Sequence, residues 1–266
     1  MRIARAALHL WEQPPISGKN GSGTVFFTGC TLGCVFCQNG EISRGPFPGQ
    51  RVTPQELSRV FFQLIAQGAH NINLVTPTHF VPQIRQALLL RRLPVPVVYN
   101  TSGYERVETL RTLEGLVDIY LPDYKYDSPD LARKLSRAED YPQTARAAIA
   151  EMVRQVGAPV YGEDGLLKRG VFIRHLILPG HTRNSIACLE RIKREFPGIP
   201  VSLMAQYTPC GDLSAFPELQ RPITRREQEK VENALFALDL EGFTQERKSR
   251  GTAYIPCWDR RDNTPL

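Results

Sequence analysis

Three cysteines stand close together in the stretch FFTGCTLGCVFCQNGE, at Cys30, Cys34 and Cys37. Cysteine thiolates are soft ligands for zinc and iron-sulfur clusters, and close spacing on one loop lets several thiolates converge on one centre. In a cytosolic protein, where thiols stay reduced, such a group is more typical of a metal site or of redox chemistry than of disulfides. The loop therefore predicts a metal centre.

The local ligand set stops at three residues. The other cysteines, Cys188, Cys210 and Cys257, are far from this loop and from one another in the sequence, and no histidine lies near it. A structural zinc site and a ferredoxin-like electron carrier both use four protein ligands. The CxxxCxxC spacing suits instead a four-iron cluster in which one iron keeps an open position for a small molecule. The alternative is three cysteines that pack near a turn without any ligand role.

The elements that must position this loop follow from the hydrophobic pattern. Short apolar runs, each followed by a helical pattern, recur about every 20 to 30 residues, which is typical of a parallel sheet with crossover helices. Six such pairs are predicted, with the strands TVFFTG, NINLVT, PVVYN, VDIYL, VFIRHLIL and PVSLMAQY. In the first helix, Thr53 is the expected N-cap, Pro54 the first residue and Gly68 the end. A partly closed barrel and a doubly wound sheet both fit, and both place ligands at the carboxyl ends of the strands.

Composition and charge indicate an ordinary globular protein. Of 266 residues, 42% are hydrophobic and 23% are charged, which is enough apolar material to bury a core. The formal charge of +6 is spread over short basic groups such as LLLRRL and QERKSR, so we expect a solvated surface first and a docking patch second. The sequence has neither a signal-peptide pattern nor a membrane-length apolar run. We expect a single cytoplasmic domain that binds no membrane, and nucleic acid is not an expected partner.

The cysteine loop CTLGCVFC resembles the signature of radical S-adenosylmethionine (SAM) enzymes, with Phe36 at its aromatic position. The segments LHLWEQPPISGKNGSGTVFFTGC, NINLVTPTHF, YNTSGYE, VDIYLPDYKY, RHLILPGHT and MAQYTP together resemble proteins related to pyruvate formate-lyase activating enzyme, the PflX-type group. The resemblance implies an α/β fold, a partial (β/α)6 TIM-like barrel of the radical SAM type. It places an N-terminal extension over about residues 1–22, the barrel over about 23–240 and a C-terminal tail over about 241–266 of one domain.

The chemistry implied by the resemblance depends on the open iron. Cys30, Cys34 and Cys37 would hold three irons of a single 4Fe-4S cluster, and the amino and carboxylate groups of SAM would bind the fourth. One electron from a flavodoxin or ferredoxin would cleave SAM to methionine and a 5′-deoxyadenosyl radical, which removes a hydrogen atom from the substrate. Phe36 would pack over the cluster or the adenine and exclude water.

The resemblance also suggests a substrate, a backbone glycine of a partner enzyme that this protein would activate. A radical SAM enzyme that modifies a small molecule or an RNA base is the first alternative. A non-catalytic iron-sulfur or zinc protein is the second, and it requires a further cysteine or histidine of the chain to complete the site.

Polar residues that follow the predicted strands are candidates for holding SAM. In VDIYLPDYKY, a period of two places Asp123 and Lys125 on the same side as Val117, Ile119 and Leu121. By resemblance, Lys125 matches the place where activating enzymes use a lysine on the SAM carboxylate. A plain surface ion pair is the alternative.

Two further strands end in YNTSGYE and LVTPTHF. Asn100 and Ser102 are expected to hydrogen-bond the ribose or amino group of SAM, although a turn that caps the next helix explains them equally well. Thr76, Thr78 and His79 stand where many radical SAM enzymes carry a GGE-like segment for the SAM amino group, and we expect them to replace those contacts. Thr78 alternatively caps the next helix.

The last two strands supply two more candidates. Arg174 lies in the middle of its strand, where an unpaired guanidinium would be costly, so a carboxylate partner or bound SAM is expected. His175 points to the opposite face and is expected to be structural. Gln206 is expected to contact adenine or substrate, or else to be a hydrogen-bonded core amide. Cys210 is a candidate for lining the substrate cavity, whereas Cys188 is expected in the core.

Overall fold

Parallel strands and crossover helices alternate along the chain, as the apolar runs predict. The computed structural model describes residues 1–10 and 12–244, so Cys257 and the predicted tail beyond residue 244 lie outside the described residues. The strands are β1 (Arg2–His9), β2 (Ser22–Phe27), β3 (Gln50–Arg51), β4 (Ile72–Val75), β5 (Val97–Thr101), β6 (Ile119–Pro122), β7 (Val160–Tyr161), β8 (Leu167–Val171), β9 (Ile173–Leu176), β10 (Val201–Met204) and β11 (Gly242–Thr244). The helices are α1 (Pro14–Ser17), α2 (Gly40–Ser43), α3 (Pro54–Ala66), α4 (Val81–Leu90), α5 (Val107–Arg111), α6 (Pro129–Ser136), α7 (Tyr141–Val156), α8 (Thr182–Glu195) and α9 (Arg225–Ala237).

The strand order distinguishes between the two predicted architectures. One ladder has the order β3-β1-β2-β4-β5-β6-β8-β7, and the other has the order β11-β10-β9. They join at β6, where Asp123 bridges Arg174 in parallel and the Tyr124 N–H donates to the Arg174 carbonyl oxygen at 2.8 Å. The predicted strands are thus parallel neighbours in the order of the chain. Chain order is that of a (β/α) barrel, whereas a doubly wound sheet reverses direction part-way, so the predicted partial (β/α)6 barrel is confirmed.

The fifth predicted strand, VFIRHLIL, is divided at Phe172 into β8 and β9. The Phe172 N–H donates to the Tyr120 carbonyl oxygen at 3.0 Å, so both pieces stay beside β6. β9 then turns to pair with β10, which β8 does not contact through a ladder. This division places Arg174 at the junction of the two ladders.

Local sequence signals place α3, the first helix that the sequence predicts, where it is expected. Thr53 Oγ1 accepts from the Glu56 N–H at 3.2 Å, and Glu56 Oε2 accepts from the Thr53 N–H at 2.7 Å, which forms a capping box before Pro54. Gly68, at φ +97, follows the helix end. The sequence did not predict β1, which lies in the predicted N-terminal extension and pairs antiparallel with β2.

Apolar side chains fill both faces of the parallel strands. Ile119 and Leu121 share an inner cluster with Ile16 of α1, as their alternation predicts. Val117 packs instead with the helices outside the sheet, so its predicted side was wrong, because β6 begins only at Ile119. Cys188 is fully buried in the outer layer, as expected. In the described part of the chain, no helix combines the length and apolarity needed to cross a membrane.

Candidate functional site

The three cysteines lie on the loop between β2 and α2, at the carboxyl end of the first parallel strand. Cys34 is buried, whereas Cys30 and Cys37 are half-buried. The Cys37 N–H donates to the Cys34 carbonyl oxygen at 3.3 Å, and the Leu32 N–H donates to Cys30 Sγ at 3.4 Å. Gly33 has φ +68, a conformation that favours glycine, so the backbone reverses between the first two cysteines.

Cys34 is the most enclosed of the three thiols. Ser136, the last residue of α6, donates from Oγ to Cys34 Sγ at 3.0 Å. Burial raises the pKa of the Cys34 thiol to about 11; Lys125 and Ser136 lower it, and Cys37 and Cys30 raise it further. The three thiols are therefore close enough to interact electrostatically, and a bound cation would be needed to make Cys34 a thiolate at neutral pH.

The described residues do not form the ligand arrangement of a site for a single metal ion. Within residues 1–10 and 12–244, no group of three or more His, Cys, Asp or Glu side chains is placed to hold a single metal ion. Thiolates on a zinc ion would each lie about 2.3 Å from the metal and would crowd together around it. Cysteines that bind an iron-sulfur cluster instead each ligate a different iron.

An ion-pair network lies beside Cys34, just past the end of β6. Asp123 Oδ1 accepts from Arg174 Nε at 2.9 Å and forms an ion pair with Nη2 at 2.8 Å, and Asp123 Oδ2 accepts from Lys125 Nζ at 2.5 Å. Burial opposes both charges of the Asp123–Lys125 pair, but their attraction and that of Arg174 for Asp123 outweigh it. The pKa of Asp123 is therefore lowered and that of Lys125 raised. Arg174 thus has the carboxylate partner that its place in the strand requires.

Glu12 enters this network from the N-terminal segment and was not among the sequence candidates. Its Oε1 accepts from Asn73 Nδ2 at 3.0 Å and Asn100 Nδ2 at 3.2 Å, and its Oε2 lies 3.8 Å from Arg174 Nη1. Asn100 Oδ1 accepts from Arg174 Nη2 at 2.6 Å. Arg174 and Asn100 therefore direct their polar atoms at one another and at the two carboxylates. The one available sequence signal was Asn73, an amide within the apolar run NINLV.

Ser102 lies in the turn after β5. Its Oγ accepts from the Tyr104 N–H at 3.4 Å, and its carbonyl oxygen accepts from Tyr141 Oη at 2.8 Å. Tyr141 Oη also lies 2.8 Å from the Asp123 carbonyl oxygen, so one buried hydroxyl connects the ends of β5 and β6. A Cβ at Gly103, whose φ is +79, would lie 2.3 Å from that carbonyl oxygen. Only glycine lets the two strand ends approach this closely.

The loop after β4 contacts both of its neighbours. Thr76 has φ +58, a left-handed conformation that is strained for a β-branched residue. Thr78 Oγ1 donates to Glu105 Oε1 at 2.6 Å and does not cap the next helix, so the capping alternative was wrong. His79 Nε2 lies 2.6 Å from the Thr28 carbonyl oxygen and must carry the proton there, while its Nδ1 is buried without a partner in the described chain. The cysteine loop is thereby tied to β4.

A buried carboxyl group, Glu105, lies between these strand ends and was missed in the sequence. Thr78 and Thr101 both donate to its Oε1, at 2.6 and 2.5 Å. Burial raises the pKa of Glu105 to about 7, against the hydrogen bonds from Thr101 and Thr78, which lower it. This carboxyl therefore joins the loops after β4 and β5 and titrates near neutral pH.

The segment after β10 packs near the cysteine loop. Phe36 is buried, and its ring centroid lies 6.3 Å from that of Tyr207 in an edge-to-face arrangement. Gln206 Oε1 is buried with no hydrogen-bond partner among the described residues, so Gln206 is not the fully satisfied core amide of the alternative. Cys210 is half-buried. Burial is the main cause that raises the pKa of its thiol, and nearby Cys37 raises it further.

Comparison with known families identifies the class of the protein. Residues 24–191 match the model of the Radical SAM superfamily. The chain belongs to the radical SAM superfamily. Membership indicates an enzyme and implies a 4Fe-4S cluster and SAM as its cofactors.

The similarity of this chain to individual proteins is lower than 30% in sequence identity. An uncharacterized protein of Methanocaldococcus jannaschii is 29% identical over 236 residues, which cover 84% of this chain and 64% of that protein. The crystal structure of Streptococcus suis SuiB bound to precursor peptide SuiA has a TM-score of 0.56 at 14% identity, over 83% of this chain and 47% of that one. Methylornithine synthase (PylB) has a TM-score of 0.51 at 19% identity, over 82% of this chain and 66% of that one. This chain thus spans less than two thirds of the length of each, and the two structures show a shared fold.

The residues at the strand ends fit the cofactors of a radical SAM enzyme. Three interacting thiols supply soft ligands, and Lys125 keeps two N–H donors beyond its bond to Asp123. His79 Nδ1 and Gln206 Oε1 are buried polar atoms without partners in the described chain, which a polar ligand would satisfy.

Proposed function

We propose that this radical SAM enzyme holds its cluster through Cys30, Cys34 and Cys37 and binds SAM beside Lys125. The observation that carries the proposal is that Asp123 holds the Lys125 ammonium group at the end of β6, close enough to Cys34 for the two groups to interact electrostatically. Soft ligands for an iron cluster and a fixed ammonium group for a carboxylate thus lie at the same edge of the sheet. The amino-acid end of SAM needs both, because it chelates iron and carries a carboxylate.

Lys125 is the side chain that we assign to the SAM carboxylate. Asp123 fixes its ammonium group, and Arg174 in turn fixes Asp123 through one hydrogen bond and an ion pair. Arg174 and Asn100 already have protein partners, so we assign them positioning roles rather than direct contacts with SAM. Ser102 Oγ accepts a hydrogen bond within its own turn, so we also assign Ser102 a positioning role.

Thr76, His79 and Gln206 are the contacts that we propose for the remaining polar groups of SAM. The strained backbone of Thr76 and the unpartnered atoms of the other two support this assignment. Phe36 packs with Tyr207 beside the cysteine loop, where the two rings would exclude water from the cluster.

The bound cofactors would supply one-electron cleavage of SAM and a 5′-deoxyadenosyl radical that takes a hydrogen atom from the substrate. We propose a backbone glycine of a partner enzyme as that substrate, on the resemblance to activating enzymes, and a flavodoxin or ferredoxin as the electron donor. The surplus positive charge of +6 would favour docking of acidic partners of this kind.

Product analysis tests the cleavage reaction. The cluster is reconstituted without oxygen, SAM and dithionite are added, and 5′-deoxyadenosine is quantified. We expect product from the wild type, none from Cys34→Ala, and product from Cys188→Ala, which removes a buried thiol of α8 that is not part of the cysteine loop. A protein that carries four irons and yields no 5′-deoxyadenosine would overturn the proposal.

A second measurement addresses the substrate. Glycyl radical enzymes are added to the loaded protein with SAM and reductant, and the glycyl radical is sought by electron paramagnetic resonance (EPR). A radical on the added enzyme supports the activase proposal. If no glycyl radical forms and 5′-deoxyadenosine acquires deuterium from a labelled small molecule or RNA, the substrate is of that other class.

A further inference from the structure

A pair of hydroxyl groups behind the cysteine loop leads to Cys34. Ser136 Oγ lies 3.0 Å from Cys34 Sγ and 2.7 Å from Tyr126 Oη. Ser136 is 1% exposed and Tyr126 is fully buried, so water does not compete for these bonds. The contacts form a continuous line from the phenol to the sulfur.

The direction of both hydrogen bonds follows from the number of available protons. A cysteine that binds iron is a thiolate, which can only accept. Ser136 must therefore direct its single O–H at Cys34 Sγ, and its oxygen can then only accept from the Tyr126 phenol. Hydrogen bonds in such a chain polarise one another, which strengthens the bond that reaches the sulfur.

The other two thiols lack an equivalent. Cys30 Sγ accepts from the Leu32 N–H at 3.4 Å, a bond within its own loop. Cys37 Sγ accepts from Ser43 Oγ at 3.6 Å, a longer contact that is only partly buried. The short, fully buried hydroxyl bond is therefore a property of Cys34 among the three.

The end of α6 holds this arrangement in place. The Leu135 carbonyl oxygen accepts from the Val35 N–H at 2.9 Å, one residue from each partner of the hydroxyl bond. Arg137 ends the helix at φ +55, a conformation that is costly for a residue with a Cβ. The helix terminus thus docks on the cysteine loop through two adjacent hydrogen bonds.

We propose that Ser136, supported by Tyr126, is a positioning residue that raises the reduction potential of the cluster through Cys34. The proposal rests on the proposed ligation by Cys34. Reduction adds one electron from the donor and no proton, and part of the added charge resides on the thiolates. A hydrogen bond to sulfur stabilises that charge, and such bonds are among the determinants of cluster potential.

An EPR-monitored redox titration of the four-iron protein, with dithionite as reductant, tests the role. Ser136→Ala should shift the midpoint to a more negative potential, and Tyr126→Phe should shift it in the same direction by a smaller amount. Tyr124→Phe is the matched control, because its hydroxyl donates to Asp127 rather than to Ser136, and it should leave the midpoint unchanged. A purely structural role of Ser136 predicts a wild-type midpoint in a Ser136→Ala protein that retains the cluster.

The outcomes distinguish failure of the proposed ligation by Cys34 from failure of the proposed role of Ser136. A wild type that takes up no four-iron cluster sinks the proposed ligation and this inference with it. A loaded Ser136→Ala protein with the wild-type midpoint overturns this inference alone, as does a shift in Tyr124→Phe as large as that in Tyr126→Phe. If Ser136→Ala fails to retain the cluster, Tyr126→Phe decides: a negative shift supports the role and an unchanged midpoint refutes it.

Discussion

Arg174 and Asp123 join the two ladders of the barrel and orient the site at the same time. Their backbones bridge β9 to the end of β6, and the guanidinium donates from Nε to one carboxylate oxygen and forms an ion pair with it through Nη2. Lys125 takes the other oxygen, so a single carboxylate is shared by two cations. The three side chains are between 13% and 17% exposed, which leaves little solvent to screen a charge whose partner is lost.

Asp123→Asn keeps the shape of the side chain and removes its charge. We expect the free energy of unfolding to fall by about 3 kcal/mol, because two neighbouring cations lose their common partner. Urea unfolding at neutral pH measures this change. Asp130→Asn, which breaks an exposed pair with Arg133, is the control and should cost less than about 1 kcal/mol. Equal losses in the two variants would contradict the importance of the network.

Lys125→Met keeps most of the aliphatic length and removes the ammonium group. We expect the cluster to be retained and SAM to bind about 10- to 100-fold more weakly, since a hydrogen bond to a charged group contributes about 1.5–3 kcal/mol. Anaerobic equilibrium dialysis with labelled SAM measures the affinity. Lys134→Met, which removes an ammonium group paired with Glu218, serves as control. Unchanged SAM affinity in Lys125→Met would refute the assignment of the carboxylate.

Glu105→Gln should flatten the pH dependence of stability. The pKa of Glu105 is raised from 4.5 to about 7, so between these values the folded protein holds a proton that the unfolded chain releases. The free energy of unfolding therefore falls as pH rises through this window, by about 1 kcal/mol between pH 6 and 8 for this group.

Urea unfolding of both proteins at pH 6 and pH 8 measures the slope. Glutamine keeps an oxygen to accept from Thr78 and Thr101, so the loops stay joined. Glu108→Gln, an exposed change in the same segment, should retain the wild-type slope. The same slope in Glu105→Gln as in the wild type would show that the carboxyl does not titrate in this range.

Cys210→Ser tests whether the chain itself supplies the fourth ligand. Burial raises the pKa of the Cys210 thiol, and Cys37 lies close enough to Cys210 to raise it further. We nevertheless expect four irons per chain, and an EPR spectrum of the reduced cluster that changes on addition of SAM, as in the wild type. Cys37→Ser should lose the cluster. Loss of the cluster in Cys210→Ser, or a wild-type spectrum that SAM leaves unaltered, would favour a fully protein-ligated centre.

The sequence correctly predicted structural features whose physical cause lies in residues close together in the chain. The N-cap Thr53 was predicted from its position directly before Pro54, and the capping box that confirms it joins residues only three positions apart. The inward position of Ile119 and Leu121 was predicted because strand side chains alternate with a period of two. The same rule failed for Val117, since the beginning of β6 depends on its neighbours in the sheet.

The partners of the polar residues could not be predicted in this way. Thr78 binds Glu105, 27 residues further along the chain, and Ser136 reaches Cys34 across 102 residues. Glu12 meets Asn100 across 88 residues and has no neighbouring motif that marks it. Each of these contacts depends on how the strands are ordered, which the local sequence does not encode.

The sequence by itself determined the type of ligand, the alternation of strands and helices, and the list of polar residues at the strand ends. Spacing along the chain decides these, because they depend on side-chain chemistry and on the geometry of single elements. The tertiary structure alone decided that the strands follow chain order and that Lys125 lies close enough to Cys34 to interact with it electrostatically. It also decided that Arg174 is occupied by Asp123 and Asn100. These relations arise because the parallel strands bring their carboxyl ends to one edge, where residues distant in sequence share a small volume.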